Sequence, residues 1–475
     1  MMVPLRLPRR PPRLPAVEPY GLEPVPARER TARRRHLFGV WFSANLALTY
    51  VVLGAGLWGY GLSAGQLLLA VLLGAASYLL VGAIAVPGAR HGLPTMALGR
   101  YVLGRRGNAV ASVLSWLNLV GWESVVLVLS AQSLATALHR VTSLPLGPGL
   151  ALVGLALTVA AAFGTAFVGY RAVVRVESAV AYVFGALTLL SLLLTLPDAH
   201  ALSTLWARPA GSWRTGVLPA LALVASATGL SWVNAGSDYS RYLPDPREGA
   251  VGATFWGSWL PAAGLTLAGA ALAARLPHLG SAADPVAALE GLMPTWFALP
   301  YLVTGAAGMI AGDILDVYSG GLSLLAAGVR LPRSRTVLAD LALSLALAAY
   351  ALAGRLAFLP LFESFLTLLA SALAPWAAVF VASLGRLARA DLLDRPPPTI
   401  ETGALIAWLA GVAAAGLTAS TPLVSGPLAR GPFAGSSLGL ILGFAVSFAV
   451  AVAAGRGRGT SRAGRGRRRS PQPAR

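Results

Sequence analysis

The chain contains no cysteine and no lysine, and only 12% of its 475 residues are charged. Without cysteine there is no disulfide, no thiolate metal site and no cysteine nucleophile. The five histidines, at positions 36, 91, 139, 200 and 278, show no ligand spacing, so neither a metal nor a cofactor is expected. Scarcity of charge excludes an ordinary soluble domain, in which about one residue in four is charged. What fills the chain is apolar: 56% of residues are hydrophobic and the mean hydropathy is +0.69. Such a chain is an integral membrane protein. Crossing a ~30 Å hydrocarbon layer takes ~20 residues, so the length accommodates about twelve helical spans.

Apolar runs occupy about 37–59, 64–86, 108–137, 149–169, 178–196, 216–236, 251–274, 294–320, 337–353, 356–383, 403–422 and 435–454, twelve in all. Residues 1–35 hold nine arginines among many prolines and read as a disordered basic tail without the apolar core of a signal peptide. All 37 basic residues are arginine, a compositional bias rather than a chemical requirement. Their placement sets the orientation. With the N-terminus in the cytoplasm, 31 arginines lie inside and 6 outside, which puts both termini on the cytoplasmic side of the cell membrane. The net charge of +19 is therefore a topology signal and not a nucleic-acid footprint. Residues 455–475, GRGRGTSRAGRGRRRSPQPAR, read as a second disordered tail that anchors to anionic lipid rather than to RNA.

The stretch GLSWVNAGSDYSRYLP, from Gly229 to Pro244, interrupts the sixth run with Gly229, Ser231, Trp232, Asn234, Gly236 and Ser237. In hydrocarbon each unsatisfied backbone amide costs several kcal/mol, so the stretch either caps a helix end or lines a cavity. The first run carries Ser43 and Asn45 well inside WFSANLALTY. Polar breaks in the first and sixth runs are the mark of two five-helix repeats of inverted topology. That divides the chain into 36–200, 201–385 and two peripheral helices within 400–454.

The third run contains LNLVGWESVVLVLSAQ, with Trp122 and Glu123 one turn beyond Asn118. A carboxylate inside a span costs ~2.5–3.5 kcal/mol or more, so Glu123 faces a cavity, holds a proton or is paired. Trp122 offers a flat wall suited to a planar heterocycle. The eighth run holds Asp313 and Asp316, which share a helix face at i and i+3. Two acids this close in low dielectric resist ionising together, as a proton-coupled carrier requires, unless Asp316 reaches water at the cytoplasmic end. Glu363 in the tenth run is a lesser candidate, placed near the outer surface. The stretch GARHGLPTMALGRYVLGRRGN after the second run is a gating loop or a basic linker. Asp238 and Arg241 of the DYSRY segment either latch a cytoplasmic gate together or form a solvated pair worth under ~1 kcal/mol.

Five segments occur in order: WFSAN (Trp41 to Asn45), HGLPTMALGRYVLGRRGN, VGWESVVLVLSAQ, SDYSRYLP and DVYSGGLSLL. Together they resemble the nucleobase/cation symporter family, in particular its purine and cytosine permeases. The resemblance implies an all-α integral membrane fold of the leucine-transporter type. Twelve transmembrane helices would form a five-plus-five inverted repeat with two extra C-terminal helices, and substrate would bind between spans one, three, six and eight. It places Ser43 and Asn45 in the substrate segment of span one and Trp122 on a stacking aromatic. Gly229 stands where the family has its second stacking aromatic, with Ser231 on the adjoining polar site and Trp232 as a substitute.

Departures from the family pattern refine the expectation. Val126 stands where relatives carry Asn or Gln, so Glu123 is left to read the base edge. Asp313 and Asp316 stand where fungal purine-cytosine permeases have an Asn-rich stretch. Ile310 and Ala311 replace the Ser and Thr of sodium-coupled members, and hard cations need oxygen ligands. The expected function is therefore not enzymatic. It is proton-coupled symport of a nucleobase (cytosine or a purine) or related nitrogen heterocycle by alternating access, with Asp313, Asp316 or Glu123 carrying the proton. The alternative is a sodium-coupled carrier of hydantoin, allantoin, thiamine-like or amino-acid substrates on the same fold. The oligomeric state is left open.

Overall fold

The computed structural model of the chain describes residues 18–195, 199–282, 285–353, 358–419, 424–430 and 434–466. Outside the described residues lie 1–17 and 467–475 of the two tails, together with the side chains of 358–363, 366, 367 and 456–466, Glu363 among them. The elements are α1 (Arg34–Ala44), α2 (Leu48–Gly56), α3 (Ala64–Ala75), α4 (Tyr78–His91), α5 (Thr95–Thr142), α6 (Pro148–Val168), α7 (Tyr170–Thr195) and α8 (Ala199–Trp206). They continue with α9 (Leu218–Ala227), α10 (Gly229–Trp232), α11 (Gly236–Ser240), α12 (Ala250–Leu272), α13 (Pro285–Glu290), α14 (Thr295–Ala327), α15 (Arg333–Leu352), α16 (Phe358–Ala382), α17 (Leu384–Leu387), α18 (Thr402–Thr418) and α19 (Gly439–Gly466).

Each apolar run carries helix over most of its described residues. By length and apolar character, seven helices among the described residues qualify as membrane crossings, and the bent pair α1/α2 makes an eighth. The protein is thus an all-helical, multi-pass membrane protein. Its most extensive internal contact runs between α5 and α14, with α1 wedged against α7, α12 and α14. The α9–α11 segment lies on α3 and α4, whereas α16, α18 and α19 pack on one another.

Two helices are broken. Between α1 and α2 the chain leaves the helix at Asn45–Ala47 and turns by 54°. Asn45 ends α1 because its amide donates back to the Trp41 carbonyl at 2.7 Å, a local side-chain bond that competes with helix propagation. The second break is at Thr228, whose φ of −112° and ψ of −115° are not helical. Its hydroxyl donates to the Val224 carbonyl at 2.6 Å, and the freed Gly229 amide donates to Ser77 Oγ at 3.0 Å. Backbone groups released by a break must find such partners in a water-poor interior. A second interruption at Val233–Ala235 separates α10 from α11.

The stretch after the second run, read as a loop or linker, is helical instead. α5 begins at Thr95, thirteen residues before the expected 108, and bends at Gly104. Gly104 has φ +80°, a conformation that costs other residues strain, and a Cβ there would meet the Ile400–Glu401 backbone. The bend lets Arg105 N–H donate to Pro398 O at 2.8 Å and Glu401 N–H to Leu103 O at 3.0 Å.

The boundaries of both tails also change. Residues from Glu18 onward, expected as disordered tail, pack against the bundle and include a short 3₁₀ turn at Ala27–Glu29. They are ordered because Glu18 and the Gly21 carbonyl supply acceptors to buried groups of the bundle. At the other end α19 runs through the expected boundary at 455 to Gly466.

Candidate functional site

The two breaks face each other across a cluster of buried aromatic and polar side chains. Trp41, on the last turns of α1, meets Trp232 of α10 edge to face at 5.5 Å and 87°. On its other side it meets Tyr239 of α11 at 5.5 Å and 89°. Asn45 Oδ1 accepts from Tyr50 OH at 2.7 Å and from the Tyr78 hydroxyl, and the two phenols lie 3.0 Å apart. The Trp232 indole also reaches the Tyr50 hydroxyl. Asp316, 3% exposed on α14, stands within electrostatic reach of Tyr50, Tyr78 and Tyr239. The break in span one, the break in span six and a carboxyl group on α14 therefore meet in one buried cluster.

α5 closes a third wall. Asn118 donates to the Ser231 carbonyl at 2.9 Å, which ties α5 to the broken helix. One turn on, Trp122 lies on the same helix face and is half-buried; Val126 follows a further turn on, 5% exposed. Ser231 Oγ is turned back onto the Thr228 carbonyl at 2.7 Å. Asn234 donates to Ser115 Oγ at 2.8 Å, and that hydroxyl lies 2.9 Å from Ser323 Oγ of α14.

Glu123, next to Trp122, belongs to a second group. It is fully buried, is approached by the Ser344 hydroxyl of α15 and lies within electrostatic reach of Asp313, Asp316 and Asp340. Both oxygens of Asp313 are buried without a donor. Asp340 of α15 accepts from the Trp116 indole N–H. No ion pair among the described residues involves Glu123, Asp313, Asp316 or Asp340, and no group of acids and histidines there is arranged for a metal. A buried acid without a counter-charge is costly unless it holds a proton.

Four site residues stand elsewhere than expected. Ser43 is turned away from the cluster toward Glu177 of α7. Gly229 does not open onto the site: a Cβ there would collide with the backbone of Ser77 and Tyr78, so its smallness serves helix packing. Asp238 and Arg241 are both buried, at 2% and 0% exposure, yet they do not pair. Asp238 Oδ1 accepts from the Thr95 amide at 2.7 Å and the Thr95 hydroxyl at 2.8 Å, capping the N-terminus of α5, where a carboxylate is favoured.

Arg241 finds its counter-charge in the N-terminal segment. Its guanidinium donates to Glu18 Oε1 at 2.9 Å, to the Gly21 carbonyl at 2.8 Å and to Tyr318 OH at 2.8 Å. Tyr318 OH also donates to Glu18 Oε1 at 3.1 Å, the Tyr242 hydroxyl donates to the same oxygen, and the Tyr170 amide donates to Glu18 Oε2 at 2.9 Å. Tyr170 stacks on Tyr242 at 3.6 Å. One carboxylate thereby ties together the start of α7, α14 and the turn that follows α11. Toward the opposite end of the bundle, a cavity of about 50 Å³ begins beside Leu46 at the first break and is lined by Val51, Ser191, Tyr301 and Gly305 among others. That volume has room for water but not for a base.

The residues missed in the sequence are Glu18, Tyr50, Tyr78, Glu177 and Asp340. Asp340 carried a usable signal, an acid inside the ninth apolar run. Glu177 fell one residue outside the fifth run and beside Arg175, where it read as part of a charged turn.

Two broken helices that meet at a buried aromatic and carboxyl cluster fit a secondary transporter, and the comparisons give that class rather than an enzyme. Residues 24–414 match the family described as permeases for cytosine/purines, uracil, thiamine and allantoin, and the chain belongs to that family. A Bacillus subtilis (strain 168) protein named provisionally as the purine-cytosine permease YxlA is 26% identical over 388 residues, covering 76% of this chain and 78% of that protein. The purine-cytosine permease FCY2 of Saccharomyces cerevisiae is 34% identical over 120 residues, 25% of this chain and 22% of that one. Among solved structures, the nucleobase-cation-symport-1 transporter Mhp1, closed with bromovinylhydantoin bound, superposes with a TM-score of 0.71 at 19% identity, covering 94% of this chain and 97% of the other. A Na⁺-coupled sialic acid symporter reaches 0.60 at 12% identity, covering 90% of each chain. These likenesses establish the fold.

Proposed function

We propose that the protein is a proton-coupled symporter of a nucleobase or closely related nitrogen heterocycle, working by alternating access. Its twelve helices form two inverted five-helix repeats and a peripheral pair, with both termini in the cytoplasm and the chain in the cell membrane. The observation that carries this reading is the enclosure of Trp41, Trp232 and Asp316 between two helix breaks. Trp232 and Trp122 stack on the flat guest, because aromatic faces bind planar rings in offset or face-on contact. Asn45 and Asp316 read its polar edge; a carboxylate accepts from ring N–H and exocyclic amino groups. Ser231 contributes its backbone carbonyl, and Val126 adds apolar wall.

Asp313, with Glu123 beside it, carries the coupling proton. Loading neutralises the acid in the dry closed state, and release follows when one end opens to water. Ile310 and Ala311 bring no side-chain oxygen to a sodium site, which favours the proton. The Glu18–Arg241 cluster closes the cytoplasmic mouth.

The test is counterflow in proteoliposomes with radiolabelled cytosine, adenine, hypoxanthine, uracil, allantoin and hydantoin, followed by accumulation under an imposed proton gradient. Accumulation that follows the proton gradient and is lost in Asp313→Asn supports the reading. Unchanged accumulation and pH dependence in Asp313→Asn removes that residue from the mechanism. Sodium dependence without pH dependence moves the protein to the sodium-coupled alternative.

A further inference from the structure

Glu177 is a buried acid that the transport reading leaves unused. It lies on the second turn of α7, is 0% exposed, and forms no ion pair among the described residues. Its Oε2 touches Ser43 Oγ, and its Oε1 meets no donor. Ser43 is also 0% exposed and occupies the last turn of α1, two residues before Asn45 and the break.

The geometry around Ser43 decides where the hydrogen resides. Ser43 Oγ lies 2.7 Å from the Gly39 carbonyl, 3.2 Å from the Val40 carbonyl and in contact with Glu177 Oε2. A serine hydroxyl has one hydrogen to donate. Its closest acceptor is Glu177 Oε2, to which it donates. One hydroxyl satisfies only one oxygen of the acid: Oε1 stays buried without a donor, and an acid so placed is costly unless it holds a proton. Two further features point the same way. The C-terminal end of a helix carries a partial negative charge of about half an electron, and α1 presents that end here. The direct contact of the two oxygens leaves no space between them for a metal cation.

The charged and titratable groups around Glu177 do not alter this. On its own helix Arg171 and Arg175 are exposed; on α1, Arg34 and Arg35 are exposed and His36 lies nearly two turns before Ser43; on α14 the acids are Asp313 and Asp316. Helices α6 and α12 carry no ionisable side chain. None of these groups bonds to Glu177.

We propose that Glu177 and Ser43 form a proton-binding site at the end of α1, separate from the α14 acids, which locks α1 to α7 while the proton is bound. Loss of the proton leaves a bare carboxylate against the helix end with no cation to offset it. The pair then separates, α1 shifts relative to α7, and water reaches the acid. Proton occupancy at Glu177 thereby sets the position of the half-helix that carries Trp41 and Asn45. This inference rests on the proton-symport reading for its transport consequence, but the bound proton itself does not.

The experiment has two arms, on wild type and Glu177→Gln. In proteoliposomes, Glu177→Gln is expected to retain counterflow of whichever base of the panel wild type exchanges and to lose its accumulation under an inward proton gradient. Gradient-driven accumulation in Glu177→Gln equal to wild type overturns the proposal. The second arm needs no substrate: infrared difference spectra of the purified protein across a pH jump, where a protonated carboxyl gives its own carbonyl band. A band present in wild type and absent from Glu177→Gln supports the site, even where the variant no longer exchanges base or wild type exchanges none of the panel. Identical spectra for the two proteins overturn it. Failure of wild type to exchange any base overturns the transport reading alone.

Discussion

Replacing Glu18 by alanine removes a single side chain in the N-terminal segment and tests the closure of one mouth of the bundle. Arg241 is fully buried, and Glu18 is the carboxylate bonded to it. Glu18 also receives hydrogen bonds from Tyr318, Tyr242 and the Tyr170 amide. Removing one partner of a buried ion pair costs about 3–5 kcal/mol, because the remaining charge stays desolvated. A soluble core would bear that cost as lost stability. In the gate proposed above the mouth can open and hydrate Arg241, so the cost is expected to fall on the closed state and to shift the conformational equilibrium. At 1.4 kcal/mol per factor of ten, about 3 kcal/mol favours the open mouth by more than about a hundredfold.

The chain has no cysteine, so Ser319→Cys, next to Tyr318 on α14 at a buried position whose hydroxyl lies 2.8 Å from Tyr239 OH, gives a clean reporter. Maleimide labelling of Ser319→Cys should accelerate by at least about a hundredfold when Glu18→Ala is added, if the equilibrium limits access. Glu18→Gln should fall between the two, since it retains acceptors but not charge. Labelling that is unchanged or slower in Glu18→Ala would show that the N-terminal segment does not hold the mouth closed.

Two further outcomes are expected. Trp232→Ala should weaken base binding by ~1–3 kcal/mol, the worth of one base–aromatic stack, with Trp232→Phe close to wild type; thermal shifts across a ligand series read this directly, and equal affinity for the alanine variant would remove Trp232 from the substrate site. Asp238→Ala should lower stability by about 1–3 kcal/mol, because the buried Thr95 amide loses its acceptor, while Asp238→Asn retains most of the cap. The check is the melting temperature of the detergent-solubilised protein, and an unchanged value for the alanine variant would refute the capping role.

Both helix breaks were legible in the chain because glycine, asparagine and serine inside apolar runs are costly against lipid and survive only where something else satisfies the backbone. Glu123, Asp313 and Asp316 were legible for the same reason. The roles of Ser43, Gly229, Asp238 and Arg241 were not. Ser43 is turned outward by an acid on α7, and Gly229 is fixed by the backbone of α4's first residue. Asp238 answers an amide 143 positions earlier, and Arg241 is neutralised by a glutamate 223 positions earlier. A basic, proline-rich leader carries no local sign that one of its few acids will be drawn into the bundle.

By itself the sequence determined the solvent in which this protein folds, the places where its helices must come apart, and the acids that had to be buried. Those follow from transfer free energy, which depends on residue type and needs no partner. The tertiary structure alone decided which carboxyl meets which hydroxyl, amide or guanidinium. Directional bonds between residues far apart in the chain are set by how helices dock, and no local pattern encodes that docking.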